Sequence, residues 1–284
     1  MRGSLILLLG IAIAATAQAQ DQAQIERGEY LLYAGGCLSC HRAEDGTLAG
    51  GQPLETPVGI FYPPNITPDP QTGIGDWSDE DFIHAFRQGE SPGGYPYYPA
   101  FPYTSYHGMS DQDLLDLKAY LFSLEPVKAP PFKGHDLPWY VLRFGVNFWQ
   151  MLNHQPQPFQ PDPSQSEQWN RGAYLVRHLG HCGECHTPRT MTFAMDQERF
   201  LAGNPHGPEG GAVPNITSHY PDGLYNWDRD DLTYLLETGM LPDGDFVGGT
   251  MSEVVDDNTS RLTPEDREAI AVYILSQPSR SAAE

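Results

Sequence analysis

Apolar residues recur at helical spacing behind recognisable helix starts. Leu114, Leu117, Leu121 and Leu124 share one face after Ser110-Asp111-Gln112-Asp113, and Ile270 and Ile274 do so after Thr263-Pro264-Glu265-Asp266. Pro264 stands at the first helical position, where its missing N–H is no loss. Ser78-Asp79-Glu80-Asp81 marks a further start. Helices are also expected over 24–36 and 168–180. No convincing period-2 alternation appears, so the expected fold class is all-α. With Gly 29 and Pro 26, long loops must join the helices.

Residues 125–168 are Pro-rich at both ends, with a candidate helix between them, opened by Asp136 as cap and stopped by Pro156. Arg143, Asn147, Gln150 and His154 form one narrow polar stripe, and nearly everything else from Leu137 to Leu152 is apolar. So wide an apolar arc does not suit an exposed helix. The expectation is packing between two flanking domains; the rival is docking on a catalytic subunit or a membrane through 137–152.

A second apolar run, Leu5 to Ala15, follows Arg2 and precedes Ala17-Gln18-Ala19. This is the pattern of a cleavable secretory signal peptide over 1–19, and the run is too short to span a bilayer. No later segment can span one either, so an exported, soluble, periplasmic chain is expected. The 284 residues carry 16 basic and 37 acidic side chains, net −21; without Arg2 the balance is 15 − 37 = −22. A body this acidic repels phosphate backbones, which excludes nucleic acid as a partner. It suits steering towards a basic protein surface. The 39% apolar content suffices for two modest cores.

The four cysteines occur in two copies of one pattern, Cys37-Leu38-Ser39-Cys40-His41 and Cys182-Gly183-Glu184-Cys185-His186. C-x-x-C-H attaches c-type haem: two thiols on one helical turn add to the porphyrin vinyl groups, and the adjacent His supplies the proximal nitrogen. Thioredoxin-like chemistry does not require the His, and a shared zinc site would join knuckles 145 residues apart (182 − 37), far beyond the usual spacing. The surroundings repeat too. Arg27-Gly28-Glu29-Tyr30-Leu31 matches Arg171-Gly172-Ala173-Tyr174-Leu175, and Pro64-Asn65-Ile66-Thr67 matches Pro214-Asn215-Ile216-Thr217. Trp77, Gly89 and Tyr120 recur as Trp227, Gly239 and Tyr273. The chain thus reads as 1–19 signal peptide, 20–125 first domain, 126–167 linker with an apolar helix, and 168–284 second domain.

An electron-passing haem is best held from both sides, and His/Met ligation raises its potential. Met109 is the single Met between His41 and the end of the first half, 68 positions on (109 − 41). Met251 follows His186 by 65 (251 − 186) and likewise precedes the last helix, so it is preferred over Met240, Met191 and Met195. The rival ligands His84, His107, His206 and His219 are not repeated in register. His178 and His181 flank the second motif without counterparts, as haem-tuning or solvent-facing groups. Asn65, Asn215, Trp77 and Trp227 are candidates for haem contact or for packing.

The segments PNITPDPQTGIGDWSDEDF, YPAFPYTSYHGMSDQDLLDLKAYL, RGAYLVRHLGHCGECHTPR and MSEVVDDNTSRLTPEDREAIAVYI resemble the cytochrome c subunits of periplasm-facing bacterial alcohol and gluconate dehydrogenases. The resemblance covers nearly the whole chain after the signal peptide. It implies two tandem class I-like cytochrome c domains with haem-wrapping loops, and axial roles for Met109 and Met251. Those subunits typically carry three haem domains and a C-terminal membrane segment, whereas two are expected here. The sequence thus predicts a non-catalytic diheme carrier with two covalent haem c groups. Cys37, Cys40, Cys182 and Cys185 bind them, and His41, Met109, His186 and Met251 hold the iron. A dehydrogenase is the expected donor and a cytochrome or oxidase the acceptor. The alternative is a catalytic diheme enzyme of peroxidase or thiosulfate dehydrogenase type, which an open iron position would favour.

Overall fold

The computed structural model describes residues 20–56, 58–207 and 210–282, so the expected signal peptide lies outside the described residues. Helix α1 occupies 20–34 and runs into α2 (Cys37–His41). The first half continues through α3 (Asp79–Gln88), α4 (Tyr103–Tyr106) and α5 (Asp111–Ser123). After α6 (Arg143–Asn153), the second half repeats the order with α7 (Glu167–Tyr174), α8 (Gly183–His186), α9 (Arg229–Thr238), α10 (Thr250–Asp257) and α11 (Pro264–Leu275).

The helix starts lie where the sequence places them. Ser78, Ser110 and Thr263 each accept from the third backbone N–H of their helix, and Asp228 caps α9 with the same reciprocal box that Ser78 makes with Asp81. Gly89 and Gly239 end α3 and α9 in the left-handed conformation. One departure from the expected helical content is a short antiparallel hairpin, β1 (Leu54–Thr56) with β2 (Gly59–Phe61), too brief to leave an alternation in the sequence.

In each half the helix entering the cysteine motif crosses the last helix at a glycine. A Cβ on Gly28 would lie 2.0 Å from the Asp116 carbonyl of α5, and one on Gly172 would lie 1.9 Å from the Ala269 carbonyl of α11. Only glycine permits this approach, which explains the shared Arg-Gly-x-Tyr-Leu block. From Arg27 to Cys37 is ten positions (37 − 27), but from Arg171 to Cys182 is eleven (182 − 171). The extra residue is absorbed by a π-helical stretch, Leu175–Leu179, at the end of α7.

The halves pack with approximate two-fold correspondence. Tyr30 donates to Asp266 on α11 at 2.5 Å and accepts from the Thr263 N–H at 3.3 Å. Tyr174 likewise donates to Asp113 on α5 and accepts from the Ser110 N–H at 3.2 Å. Each repeat's tyrosine therefore reads the N-terminus of the other repeat's last helix, the isologous logic of a symmetric dimer within one chain. Where two modest cores were expected, one continuous apolar cluster runs from Leu31, Leu32, Leu114 and Leu117 to Leu175, Val176, Ile270 and Ile274.

The linker departs furthest from expectation. The helix begins at Arg143, with Leu142 at its cap. Asp136 does not open it, because this residue is drawn into a β-bridge with Ile60 and accepts from the Tyr62 hydroxyl at 2.9 Å. Nor does its apolar arc pack between the halves. Val146 is the helix's one buried residue, and Phe144, Phe148, Met151 and Leu152 are exposed.

Candidate functional site

α2 holds the first Cys-x-x-Cys-His motif and α8, with Cys182 at its N-cap, the second, each after the helix that crosses its half's last helix. All four thiols are free, with neither pair closed as a disulfide. Burial pushes the Cys37 and Cys182 thiols up to about 12, with the neighbouring cysteine of each pair adding to the shift. Both thiols are held neutral, and in each motif the second cysteine follows three positions on.

His41 and His186 are oriented identically. His41 Nδ1 lies 2.8 Å from the Pro64 carbonyl, and His186 Nδ1 lies 2.9 Å from that of Pro214. A carbonyl only accepts, so Nδ1 carries the proton and Nε2 presents its lone pair. Among the described residues nothing hydrogen-bonds either Nε2. Burial depresses both imidazoles, outweighing the carbonyls' opposing effect, so each ring is held neutral. This donor set fits covalently held haem c: two thiols, and one neutral imidazole whose second nitrogen is fixed by a carbonyl.

The repeated Pro-Asn-Ile-Thr block has one role for its asparagine and another for its proline. Asn65 donates to the Val127 carbonyl at 2.7 Å and accepts from the Thr67 N–H at 2.9 Å. Asn215 does the same with the Arg280 carbonyl and the Thr217 N–H. Both asparagines tie the loop to the tail of their half, and the prolines before them carry the carbonyls that face His41 and His186. Trp77 and Trp227 are half-buried against the core, Trp77 edge-on to Phe82.

Met109 is fully buried within the first half's core. Met251, on α10, is half-buried and packs against the same continuous cluster. Met240 instead lines a cleft on the outer side of α9 with Asp228, Asp231, Tyr234 and Glu237, while Met191 is fully exposed. Among the rival histidines His84 and His206 are exposed or nearly so, His219 faces Ser279, and His107 pairs with the Gln157 backbone.

The fold brings the two motifs together. Cys40 contributes, after burial and Glu184, to raising the Cys185 thiol. The hydroxyl of Tyr106 donates to the Gly35 carbonyl at 2.6 Å, and its ring packs edge-on against His181 with centroids 5.2 Å apart. Glu184, inside the second motif, accepts from Thr104 (2.9 Å) and Ser105 (2.7 Å) of the first half and pairs with Arg189 at 2.9 Å. His178 points Nδ1 at the Ser105 carbonyl, 2.9 Å away, and burial lowers its pKa to about 4. His178 and His181 are therefore seam residues rather than solvent-facing ones.

Comparison with known proteins gives a consistent result. The cytochrome c family model matches residues 25–125. A diheme cytochrome c-type protein of Cereibacter sphaeroides is 44% identical over 264 residues, covering 90% of this chain and 86% of that protein. The gluconate 2-dehydrogenase cytochrome c subunit of Pantoea cypripedii is 38% identical, covering 100% and 67%. The alcohol dehydrogenase (quinone) cytochrome c subunit of Gluconacetobacter polyoxogenes is 39% identical over 96% of this chain, which spans 59% of that subunit.

Proposed function

The chain belongs to the cytochrome c family, and on that premise we propose that it is a periplasmic diheme electron carrier made of two tandem cytochrome c domains. It would take electrons from a dehydrogenase and deliver them to a downstream cytochrome or oxidase. Bound haem c supplies reversible one-electron chemistry at iron. Cys37 and Cys40 would hold one group, and Cys182 and Cys185 the other. His41 would ligate the first group through Nε2 with Met109 as its second protein ligand, and His186 and Met251 would do the same for the other.

The observation that carries this reading is the juxtaposition of the two motifs at the seam, where Ser105 of one half donates to Glu184 of the other and Tyr106 packs on His181. A carrier needs short distance between its redox groups, a fixed relative orientation and no water at the metal. The Tyr30 and Tyr174 cross-links fix the orientation. The buried Met109 and the core-packed Met251 would deny a vacant position to substrate. The choice of Met251 over Met240 rests on their packing, one against the core and the other on the acidic outer side of α9.

Intact-mass measurement of the exported protein, with its oxidised optical spectrum, tests the proposal. Two covalent haems and a low-spin spectrum with the weak red Met–iron band are expected. A single haem, or ready carbon monoxide binding by the untreated reduced protein, would refute the closed carrier.

A further inference from the structure

Helix α6 is turned inside out relative to an ordinary surface helix. Its polar side chains face the body of the protein. Arg143 donates to the Pro96 carbonyl at 2.9 Å, Gln150 to those of Gln88 and Gly89 at 3.2 Å, and His154, just past its end, to that of Arg87 at 2.8 Å. Asn153 and the Trp149 indole tie the helix to Thr192 of the second half, at 2.9 and 2.6 Å. With these groups engaged, Asn147 is the helix's one exposed polar side chain. The apolar arc points outward: Trp139 is 85% exposed, Phe144 74%, Met151 68% and Phe148 62%, with Tyr140 and Leu152 beside them. At 150–250 Å² per aromatic side chain, these six expose on the order of 800 Å² of largely apolar surface, more than a soluble monomer usually leaves in one patch.

We propose that the segment from Trp139 to Leu152 lies flat in the headgroup–acyl boundary of a lipid bilayer and holds the two halves at its surface. Charge selects lipid as the occupant. Residues 126–161 carry Lys128, Lys133 and Arg143 against Asp136 alone, 3 − 1 = +2. The remainder of the chain from residue 20 carries −22 − 2 = −24. An anionic bilayer therefore attracts this segment and repels everything else, which sets the orientation as well as the affinity. Trp139 and Tyr140, stacked edge-on at 5.9 Å, are the ring types that settle at headgroup depth. An eleven-residue helix is only about 16 Å long, roughly half a hydrocarbon core, so it lies along the surface rather than across it. A protein interface of this size would present directional polar groups at its rim. Here those groups are bonded to the protein's own carbonyls.

The test is flotation of the haem-loaded, signal-processed protein with phosphatidylcholine–phosphatidylglycerol vesicles. Wild type should float with the vesicles and its tryptophan emission should shift to the blue. The Phe144→Ser/Phe148→Ser double variant should partition about 30-fold more weakly or less, given the apolar area removed. Met151→Gln should give an intermediate loss. Tyr220→Ser, an exposed aromatic remote in sequence, should float as wild type does. Because the substituted side chains are exposed, the melting temperature and haem spectrum should be unchanged. Wild type remaining at the bottom of the gradient overturns the proposal, as does equal flotation of wild type and double variant. So does a concentration-dependent dimer, or a complex with a purified dehydrogenase catalytic subunit, that the double variant loses while vesicles bind neither protein.

Discussion

Replacing Gly28 or Gly172 by alanine sets helix propensity against packing, and the two effects differ in sign. Propensity alone favours alanine by about 1 kcal/mol inside a helix. Packing opposes it: the added methyl would sit 2.0 Å from the Asp116 carbonyl in one half and 1.9 Å from the Ala269 carbonyl in the other, with Tyr120 and Tyr273 Cβ each at 2.7 Å. Ordinary contact begins at 3.4 Å, so the helices would have to part by 3.4 − 2.0 = 1.4 Å or 3.4 − 1.9 = 1.5 Å. A gap of even ~0.5–1 Å forfeits a quarter to a half of each dispersion contact along the seam. Overpacking of this kind costs roughly 3 kcal/mol or more, leaving a net loss of about 2 kcal/mol after the propensity gain. Gly145 in α6 supplies the internal control, because a methyl there meets nothing within 4 Å. Gly145→Ala should stabilise by about 0.5–1 kcal/mol. Urea unfolding of the haem-loaded protein, followed by far-ultraviolet circular dichroism and Soret absorbance, measures all three. If Gly28→Ala and Gly172→Ala match or exceed wild type while Gly145→Ala gains as expected, the close-approach argument is wrong.

Met109→Ala and Met251→Ala should each abolish the red Met–iron band of one haem and admit carbon monoxide to it, whereas Met240→Ala should leave both haems unchanged; a Met240→Ala spectrum like that expected for Met251→Ala reverses the assignment. Burial holds His178 near 4, against an ordinary 6.5, so below 6.5 the unfolded chain binds a proton that the folded chain refuses. The associated stability is complete above pH 6.5 and declines as pH falls from 6.5 towards 4, by at most about 3 kcal/mol. His178→Asn keeps a donor for the Ser105 carbonyl and should flatten stability against pH in that window; an unchanged slope assigns the titration to another group. Tyr30→Phe and Tyr174→Phe each remove a hydrogen bond to a carboxylate across the seam and should cost about 1–2 kcal/mol in thermal or urea unfolding. Two unchanged melting curves would show that these bonds do not hold the halves together.

How much could be read in advance depended on the range of the interaction. The caps at Ser78, Ser110 and Thr263 are contacts over three residues, and they stand where the sequence puts them. The repeat identified Gly28 with Gly172 and Tyr30 with Tyr174, but not what these residues touch. Their partners lie sixty or more residues away in sequence, on α5 and α11. Pro64 and Pro214 were visible only as members of a repeated block, because a carbonyl's role leaves no side-chain signature. Asn65 and Asn215 show their hydrogen-bonding side chains in the sequence, and the fold uses them to anchor the tails.

The cysteine motifs, their histidines, the repeat and the acidic balance are properties of residue identity and spacing, and the sequence alone determined them. The direction of α6 was a different kind of question. Its hydrophobic periodicity is the same whether the apolar arc faces in or out, and burial inside is the usual outcome. Only the tertiary structure decided it, because the carbonyls of Pro96, Gln88 and Gly89 accept from Arg143 and Gln150 and hold the polar stripe inward. The meeting of the two motifs at one seam was likewise beyond any local pattern, since it depends on each half's tyrosine finding the other half's helix end.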